Sequence, residues 1–377
     1  MNIVFLCGSI EPGCDGVGDY TQSLANELIK DGFLVSILSL NDPFITTNLK
    51  SEMANGLHTY RIPALLSKKD RFGLAKAWIA EVDPQLVSIQ FVIYSYHHKG
   101  LPWGVGNDLK YIIGSRRCHI MFHELWIGFT KISSLKHKMY GFFQKRIIKS
   151  IITAVHVKAI STTNKLYQLL LEELNVEAKI LPLFSNIGAV PEDPAFKAEI
   201  LSKLHEINNP DSWIFSGIFG NLYPQAKLES AIEEQYVIAK DRNKKIAFIG
   251  IGKMNSEGYA EFKRLEGVFN KKVAFLHLGE QPAEIVSNFL HLLDIGFSCT
   301  PTQHIGKSGV FASMKLHGVQ VILPTAEFIP EYHNEIDEYQ QELVIRPAYM
   351  WSVSYVAKKF IKIIDPLLTK TKIHVRN

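Results

Sequence analysis

The sequence predicts an α/β protein built as two parallel-sheet units in series. Three observations carry this. The chain has 377 residues, 47% of them hydrophobic, more than one core usually organises. Short apolar runs without polar alternation, as in strands buried on both faces, alternate with segments of helical period. The alternation stops across residues 191–210, a polar stretch with Pro191, Pro194 and Pro210, and then restarts. The expected domains are 1–190, rejoined by a C-terminal helix from about 350 to 377, and 191–349.

In chain order, residues 3–7 form the first strand, followed by the glycine-bearing loop CGSIEPGCDGVGDY. Residues 20–30 have helical period, with Leu24 and Leu28 on one face, and stop at Asp31-Gly32. Residues 33–40 are the second strand, completing a βαβ unit whose crossover is right-handed by default. Strands follow at 85–90 and at 119–122, the latter running straight into His123-Glu124. Residues 133–152 are helical, basic on one side and apolar on the other. A strand at 156–160 leads to Ser161-Thr162-Thr163, read as the cap of a helix reaching 174, and 179–183 ends this half.

The second half repeats the pattern. Strands are expected at 213–219, 245–249, 273–278 and 295–298, with helices at 225–240, 256–267 and 283–292. Two of these strands run into glycines, at Gly250-Ile251-Gly252 and at Gly279-Glu280. Residues 300–324 read as a strand end, a polar loop with Gly306, Lys307, Ser308 and Gly309, a short helix and a further strand. A last helix spans 350–368. Two such units imply two Rossmann-like lobes facing each other across a cleft.

Composition narrows the function classes. Charged residues are 21% of the chain and the net charge is +4, which suits anionic ligands and does not argue for nucleic acid. Cys7, Cys14, Cys118 and Cys299 have no CxxC spacing, so no zinc site is expected and free thiols in a reducing compartment are. The apolar run near Met1 is short for a signal segment, and no run of about 18 apolar residues occurs. A cytoplasmic protein is expected. Lys131, Lys136, Lys138, Lys145, Arg146 and Lys149, interleaved with Met139, Tyr140, Phe142 and Phe143, leave peripheral contact with anionic lipid open beside an ordinary solvated helix.

The site candidates lie at strand ends. Gly306 to Gly309 stand where a helix begins, and unpaired N–H groups, the helix dipole and Lys307 together suit a phosphate. Pro301 occupies the position of the first P-loop glycine, so this is not that motif. Gly16, Gly18 and Asp19 form a glycine loop lacking the third glycine of a dinucleotide fingerprint, as does Gly250 to Asn255. His123 ends a strand at the edge where open α/β sheets bind ligands, and a histidine there can orient a hydroxyl or leaving group. The competing structural readings are a plain helix cap at Ser308, a tight turn at the glycines and a core histidine.

Together these features resemble the GT-B-fold glycosyltransferases, especially the retaining enzymes of glycosyltransferase family four. The resemblance rests on GVGDYTQSLANELIKDGFLVSIL after the first strand, HEL at 123–125, AIS at 159–161, LGEQPAEIVSNFLHLLDIGFSCT and GVFASMKLHGVQVILP. The two glutamates of the family's last block would fall at Ile305 and Ser313, so both are absent. Its arginine and lysine pair maps roughly onto GNLYPQAKLE, with Asn221 at the arginine and Lys227 one residue off. The resemblance implies transfer of a sugar from a nucleotide-diphosphate donor to a hydroxyl acceptor (glycan, lipid-linked or small molecule) with retention. Lys227, Lys307 and His123 would be catalytic. Gly16, Gly18, Asp19, Glu124, Asn221, Gly279, Glu280, Thr300, Gly306, Ser308 and Gly309 would hold the donor. Gln90, Tyr94 and Trp103 would face the acceptor. No cofactor and no metal are expected. A sugar-nucleotide epimerase or hydrolase, or a non-catalytic sugar-nucleotide binder, are the alternatives.

Overall fold

A computed structural model describes residues 1–204, 210–323 and 332–368. The chain divides into two compact units, Met1–Pro182 with the chain from Val353, and Leu183–Ser352. Pro324, at the end of the 300–324 stretch, and residues 205–209 lie outside the described residues.

The first unit runs β1 (Asn2–Cys7), α1 (Gly16–Lys30), β2 (Leu34–Asp42), β3 (Leu49–Glu52), β4 (His58–Pro63), α2 (Lys68–Val82), β5 (Leu86–Phe91), α3 (Val105–Ile113), β6 (Arg117–Phe122), α4 (Leu135–Ala154), β7 (Ala159–Thr162), α5 (Lys165–Glu172) and β8 (Lys179–Ile180). Its sheet has the order β3-β4-β2-β1-β5-β6-β7-β8. All pairs are parallel except the antiparallel hairpin β3–β4 at one edge. β1 lies in the middle, and Ile3 to Cys7 are fully buried, as the unbroken apolar run requires.

The second unit runs α6 (Pro194–Lys203), β9 (Trp213–Phe219), α7 (Glu229–Asp241), β10 (Lys245–Ile251), α8 (Ser256–Val268), β11 (Ala274–His277), α9 (Ala283–Leu292), β12 (Ile295–Phe297), α10 (Gly309–Leu316), β13 (Gln320–Ile322) and α11 (His333–Ile345). Its sheet is parallel throughout, in the order β11-β10-β9-β12-β13. Apolar side chains cover both faces: Phe215, Ile249 and Phe289 on one, Ile218, Phe248 and Phe262 on the other. α12 (Val353–Leu368) returns to the first unit, where Phe360 packs 5.6 Å from Phe5 and 5.3 Å from His119, ring to ring.

Several local readings change. The 191–210 stretch holds helix α6: Asp193 accepts the Ala195 N–H as a cap, Pro194 takes the first turn, and Phe196, Ile200 and Leu201 are buried. Helix α1 begins at Gly16 rather than 20, because the Asp15 carboxylate accepts the N–H groups of Val17 and Gly18. β7 is Ala159–Thr162, not 156–160, since His156 is left-handed with φ 47°. The cap of α5 is Asn164, which accepts the Tyr167 N–H at 2.9 Å, while Ser161 and Thr162 belong to the strand. The helix expected at 225–240 starts at Glu229, behind a 3-10 turn at Pro224–Ala226 and a left-handed Lys227 with φ 50°. Among the described residues no helix is long and apolar enough to cross a membrane.

Candidate functional site

In the second unit, three glycines line the C-terminal edge of the sheet. Gly220, Gly252 and Gly279 follow β9, β10 and β11 and have φ of 86°, 100° and 68°. Such values favour glycine. Gly220 N–H donates to Ile251 O at 2.8 Å and Gly252 N–H to Gly279 O at 2.7 Å, so the three strand ends form one backbone shelf. A Cβ on Gly252 would stand 3.0 Å from Gly220 N, and one on Gly220 would stand 3.7 Å from Val310 Cγ2. The start of α10 therefore lies against the shelf.

The helix start is prepared by neutral groups. Ser308 is buried and its Oγ accepts the Phe311 N–H at 3.2 Å and the Thr300 hydroxyl at 2.8 Å. The N–H groups of Gly309 and Val310 find no acceptor among the described residues. Lys307 immediately precedes the cap, at the end of a 3-10 turn over Thr302–Lys307 in which Gly306 and Ile305 are buried. His304, in the same turn, has its pKa lowered to about 4 by burial and then by Lys307. Positive potential and two open N–H groups meet at one place, which suits an oxyanion.

The other candidates in this unit fall into different places. Thr300 is part of the Ser308 cap. Asn221 Oδ1 accepts the Asn255 N–H at 3.0 Å and so holds the turn before α8. Lys227 and Glu280 are exposed. Ser313 is fully buried, bonded to Ser185 at 2.9 Å and to Asn186 at 3.2 Å, and Ile305 is 2% exposed. Asp294 holds the entrance to β12, its carboxylate accepting the Phe215 N–H at 2.8 Å.

The first unit has a glycine-bearing helix start of another kind. Asp15 Oδ1 takes the N–H groups of Val17 and Gly18 at 2.9 and 3.2 Å, and its Oδ2 accepts the Ser9 hydroxyl at 2.7 Å. Asp19 accepts the Gly13 N–H at 3.1 Å. Gly18 is buried, and a Cβ there would stand 2.6 Å from Ser9 O. Its missing side chain lets the helix pack on the preceding loop. Gly16 is exposed. A phosphate at this start would have to displace a carboxylate.

His123 is 6% exposed and heads a buried polar chain across three strands. Its Nε2 meets Gln90 Oε1 at 2.9 Å; Gln90 Nε2 donates to Ser88 Oγ at 2.9 Å; Ser88 Oγ meets His119 Nδ1 at 2.8 Å; His119 Nε2 meets Ser161 Oγ at 3.0 Å. Burial lowers the His119 pKa to about 3, so that ring is neutral. A neutral imidazole donates through one nitrogen and accepts through the other, so the tautomers of His119 and His123 are tied together. The Tyr20 ring packs edge-on to His123 at 5.1 Å. Glu124 beside it is half-buried.

Of the acceptor-side candidates, Gln90 is buried inside this chain, Tyr94 takes a hydrogen bond from Gln144 Nε2 at 3.3 Å, and Trp103 is 57% exposed. His97 caps its own loop, its Nδ1 accepting the N–H groups of Lys99 and Leu101. Asp15, Ser88 and His119 are not among the sequence candidates. Asp15 had a signal, an N-cap residue directly before the glycines. Ser88 and His119 had none, because register across β5, β6 and β7 brings them together.

No protein-family model and no curated protein sequence matches the chain. Solved structures do. A glycosyltransferase from Rickettsia africae ESF-5 aligns with TM-score 0.57 and 12% identity over 98% of this chain and 99% of that one. The catalytic domain of starch synthase IV from Arabidopsis thaliana, bound to ADP and acarbose, aligns with TM-score 0.56 and 12% identity over 97% and 99%. A protein assigned as UDP-N-acetylglucosamine 2-epimerase from Listeria monocytogenes aligns with TM-score 0.52 and 11% identity over 96% and 95%. The chain thus has two parallel-sheet α/β domains and shares the GT-B fold of such glycosyltransferase structures.

Proposed function

We propose that the chain transfers a sugar from a nucleoside-diphosphate donor to a hydroxyl acceptor. The observation that carries this reading is the α10 start, which lies against a glycine shelf at the ligand edge of a parallel sheet with two open N–H groups and a neutral cap, Lys307 coming directly before the cap in the chain. The diphosphate rests on Gly309 and Val310 N–H and on Lys307. As the bond from sugar to phosphate breaks, charge builds on the leaving diphosphate, and fixed donors aimed there lower the barrier. Lys227 and Thr300 lie on the same unit and complete the donor side. Such a cationic seat performs the charge-stabilising task of a divalent ion, so the reaction is metal-independent in this reading. Family-four membership and retention of configuration follow the sequence resemblance.

On the first unit, His123 orients its ligand through the tautomer that the buried chain imposes. Ile132, 90% exposed, and Leu135, 84% exposed, stand with Met139 and Phe142 among Lys131, Lys136, Lys138 and Lys149. This face suits peripheral contact with an anionic lipid surface on the cytoplasmic side, where a lipid-linked acceptor would be reached.

A second reading, donor binding without transfer, is favoured by Ile305 and Ser313, both buried and neither acidic. An epimerase or hydrolase on the same fold is the third. Calorimetry with ADP, UDP and GDP, then release of the nucleoside diphosphate from its sugars with and without acceptor, separates them. Release only with acceptor supports transfer. Release without acceptor supports hydrolysis, binding without release supports the second reading, and no binding removes the proposal.

A further inference from the structure

Two hollows among the described residues lie at the N-terminal edges of their sheets. One of about 640 Å³ is lined by Asn2, Leu34 and His58, the starts of β1, β2 and β4. Another of about 610 Å³ includes Asp211, Trp213 and Asp294, at the entrances to β9 and β12. Parallel sheets bind ligands at the opposite, C-terminal ends. A smaller cavity of about 290 Å³ in the first unit lies at that end, between the start of α2 and the 92–104 loop that follows β5. Its volume is near the lower bound of ligand pockets, roughly 300 Å³.

Its lining combines a cation without a partner and an apolar wall. Arg71 makes no side-chain hydrogen bond or ion pair among the described residues, and its Nε is buried. The Tyr96 hydroxyl is also buried without a partner. Stacking of the Tyr96 ring on Phe91, at 5.5 Å and 15°, fixes the phenol in place. Burial raises its pKa, so it stays a donor, and burial lowers that of Arg71, the mark of an uncompensated desolvation. The one carboxylate on the wall, Asp108, is held by Lys68 at 2.5 Å. Leu101, Pro102 and Trp103 form the apolar side. Arg71 is half-buried with its Nε out of solvent, and a guanidinium so placed beside a phenol and an apolar wall matches an anion on an organic stem.

We propose that this cavity binds a phosphate monoester, with the phosphate on Arg71 and Tyr96 and the organic group against Pro102 and Trp103, and that it takes the anionic group of the acceptor. The acceptor assignment rests on the transferase reading; the anion site itself does not. Trp103 also packs edge-on to Phe143 at 5.7 Å, so the apolar side of the cavity borders helix α4, which carries the basic and apolar face. The phosphate ester could therefore come from a soluble sugar phosphate or from a lipid headgroup.

Phenyl phosphate is the probe, titrated into the full chain by calorimetry and by NMR of the Arg71 Nε–H, with phenyl β-glucoside as the neutral control. Binding of the phosphate alone, with a shift at Arg71, is expected. Arg71→Gln should weaken it at least about tenfold and Tyr96→Phe about threefold or more, since a charge-assisted pair is the stronger contact. Lys307→Ala should leave it unchanged. Equal binding of the glucoside, no shift at Arg71, or unchanged affinity in Arg71→Gln overturns the site. Vesicles of phosphatidylcholine with and without phosphatidic acid separate the sources: competition with phenyl phosphate only by the acidic vesicles assigns a lipid headgroup, and its absence assigns a soluble ester. Nucleoside diphosphate binding measured on the same samples keeps the two readings apart. If it is lost everywhere while phenyl phosphate still binds at Arg71, the transferase reading falls and the anion site stands.

Discussion

Two helix starts, α1 and α10, each follow a parallel strand and each carry glycine, yet their N–H groups meet opposite fates. At α1 a carboxylate, Asp15, satisfies Val17 and Gly18 from within the chain. At α10 a neutral hydroxyl, Ser308, satisfies only Phe311, and Gly309 and Val310 stay open beside Lys307. The glycines also differ in purpose. Gly18 admits a neighbouring backbone, whereas Gly309 has only Asn186 Oδ1 at 3.6 Å from a would-be Cβ. Glycine before a helix is thus a weak sign of a phosphate site; the charge of the cap decides it.

The comparison extends to the buried histidines, where the largest effect is expected. Burial lowers the His119 pKa to about 3 and that of His304 to about 4, against an ordinary value near 6.5. Below pH 6.5 the unfolded chain takes up protons that the folded chain refuses, so stability falls as pH drops through that window. Each histidine contributes a loss of up to about 1.4 kcal/mol per pH unit, ending near its folded pKa. His119→Gln should flatten denaturation midpoints between pH 6 and 4. An unchanged slope would mean that His119 is not held neutral. Saturation with a nucleoside diphosphate should lessen the loss from His304, whose proton the bound anion favours, and leave that of His119 alone.

Gly18→Val should cost roughly 1–3 kcal/mol, the range of overpacking, because Ser9 O and Ile10 Cα stand within 3 Å of the new Cβ. Gly309→Ala should stay within about 0.5 kcal/mol in urea denaturation. Equal costs would erase the distinction between the two glycines. Lys307→Ala should weaken nucleoside diphosphate binding about tenfold, equivalent to about 1.4 kcal/mol, with little change in melting temperature. Undiminished affinity would remove the lysine from the seat. The smallest effect is at the capped start: Asp15→Ala should cost about 1 kcal/mol and Asp15→Asn only a few tenths, since asparagine caps as well without the charge. Equal losses would mean that the carboxylate's charge, not its cap, holds α1.

Much of the fold was legible because parallel strands buried on both faces leave unbroken apolar runs, as at Ile3 to Cys7 and Ile246 to Ile249. The exposed edge strand β3, the short β4 beside it with its polar Thr59 and Arg61, and helix α2, whose buried Phe72, Ala75, Trp78 and Ile79 sit among lysines and other polar residues, gave no comparable signal. Prolines misled at 191–210, where Pro194 opens a helix instead of marking a linker. The α10 start was readable from Gly306 to Gly309 because capping is local. The polar chain behind His123 and the pairing of Arg71 with Tyr96 depend on which strands and loops become neighbours, and no spacing in the sequence encodes that.

The central claim is that α10, not α1, receives the diphosphate. Backbone amide NMR of the full chain, titrated with ADP or UDP, tests it directly. The account predicts the largest shifts at Gly309 and Val310 N–H, with those of Val17 and Gly18 unmoved. Shifts at Val17 and Gly18 with none at Gly309 and Val310 would contradict it.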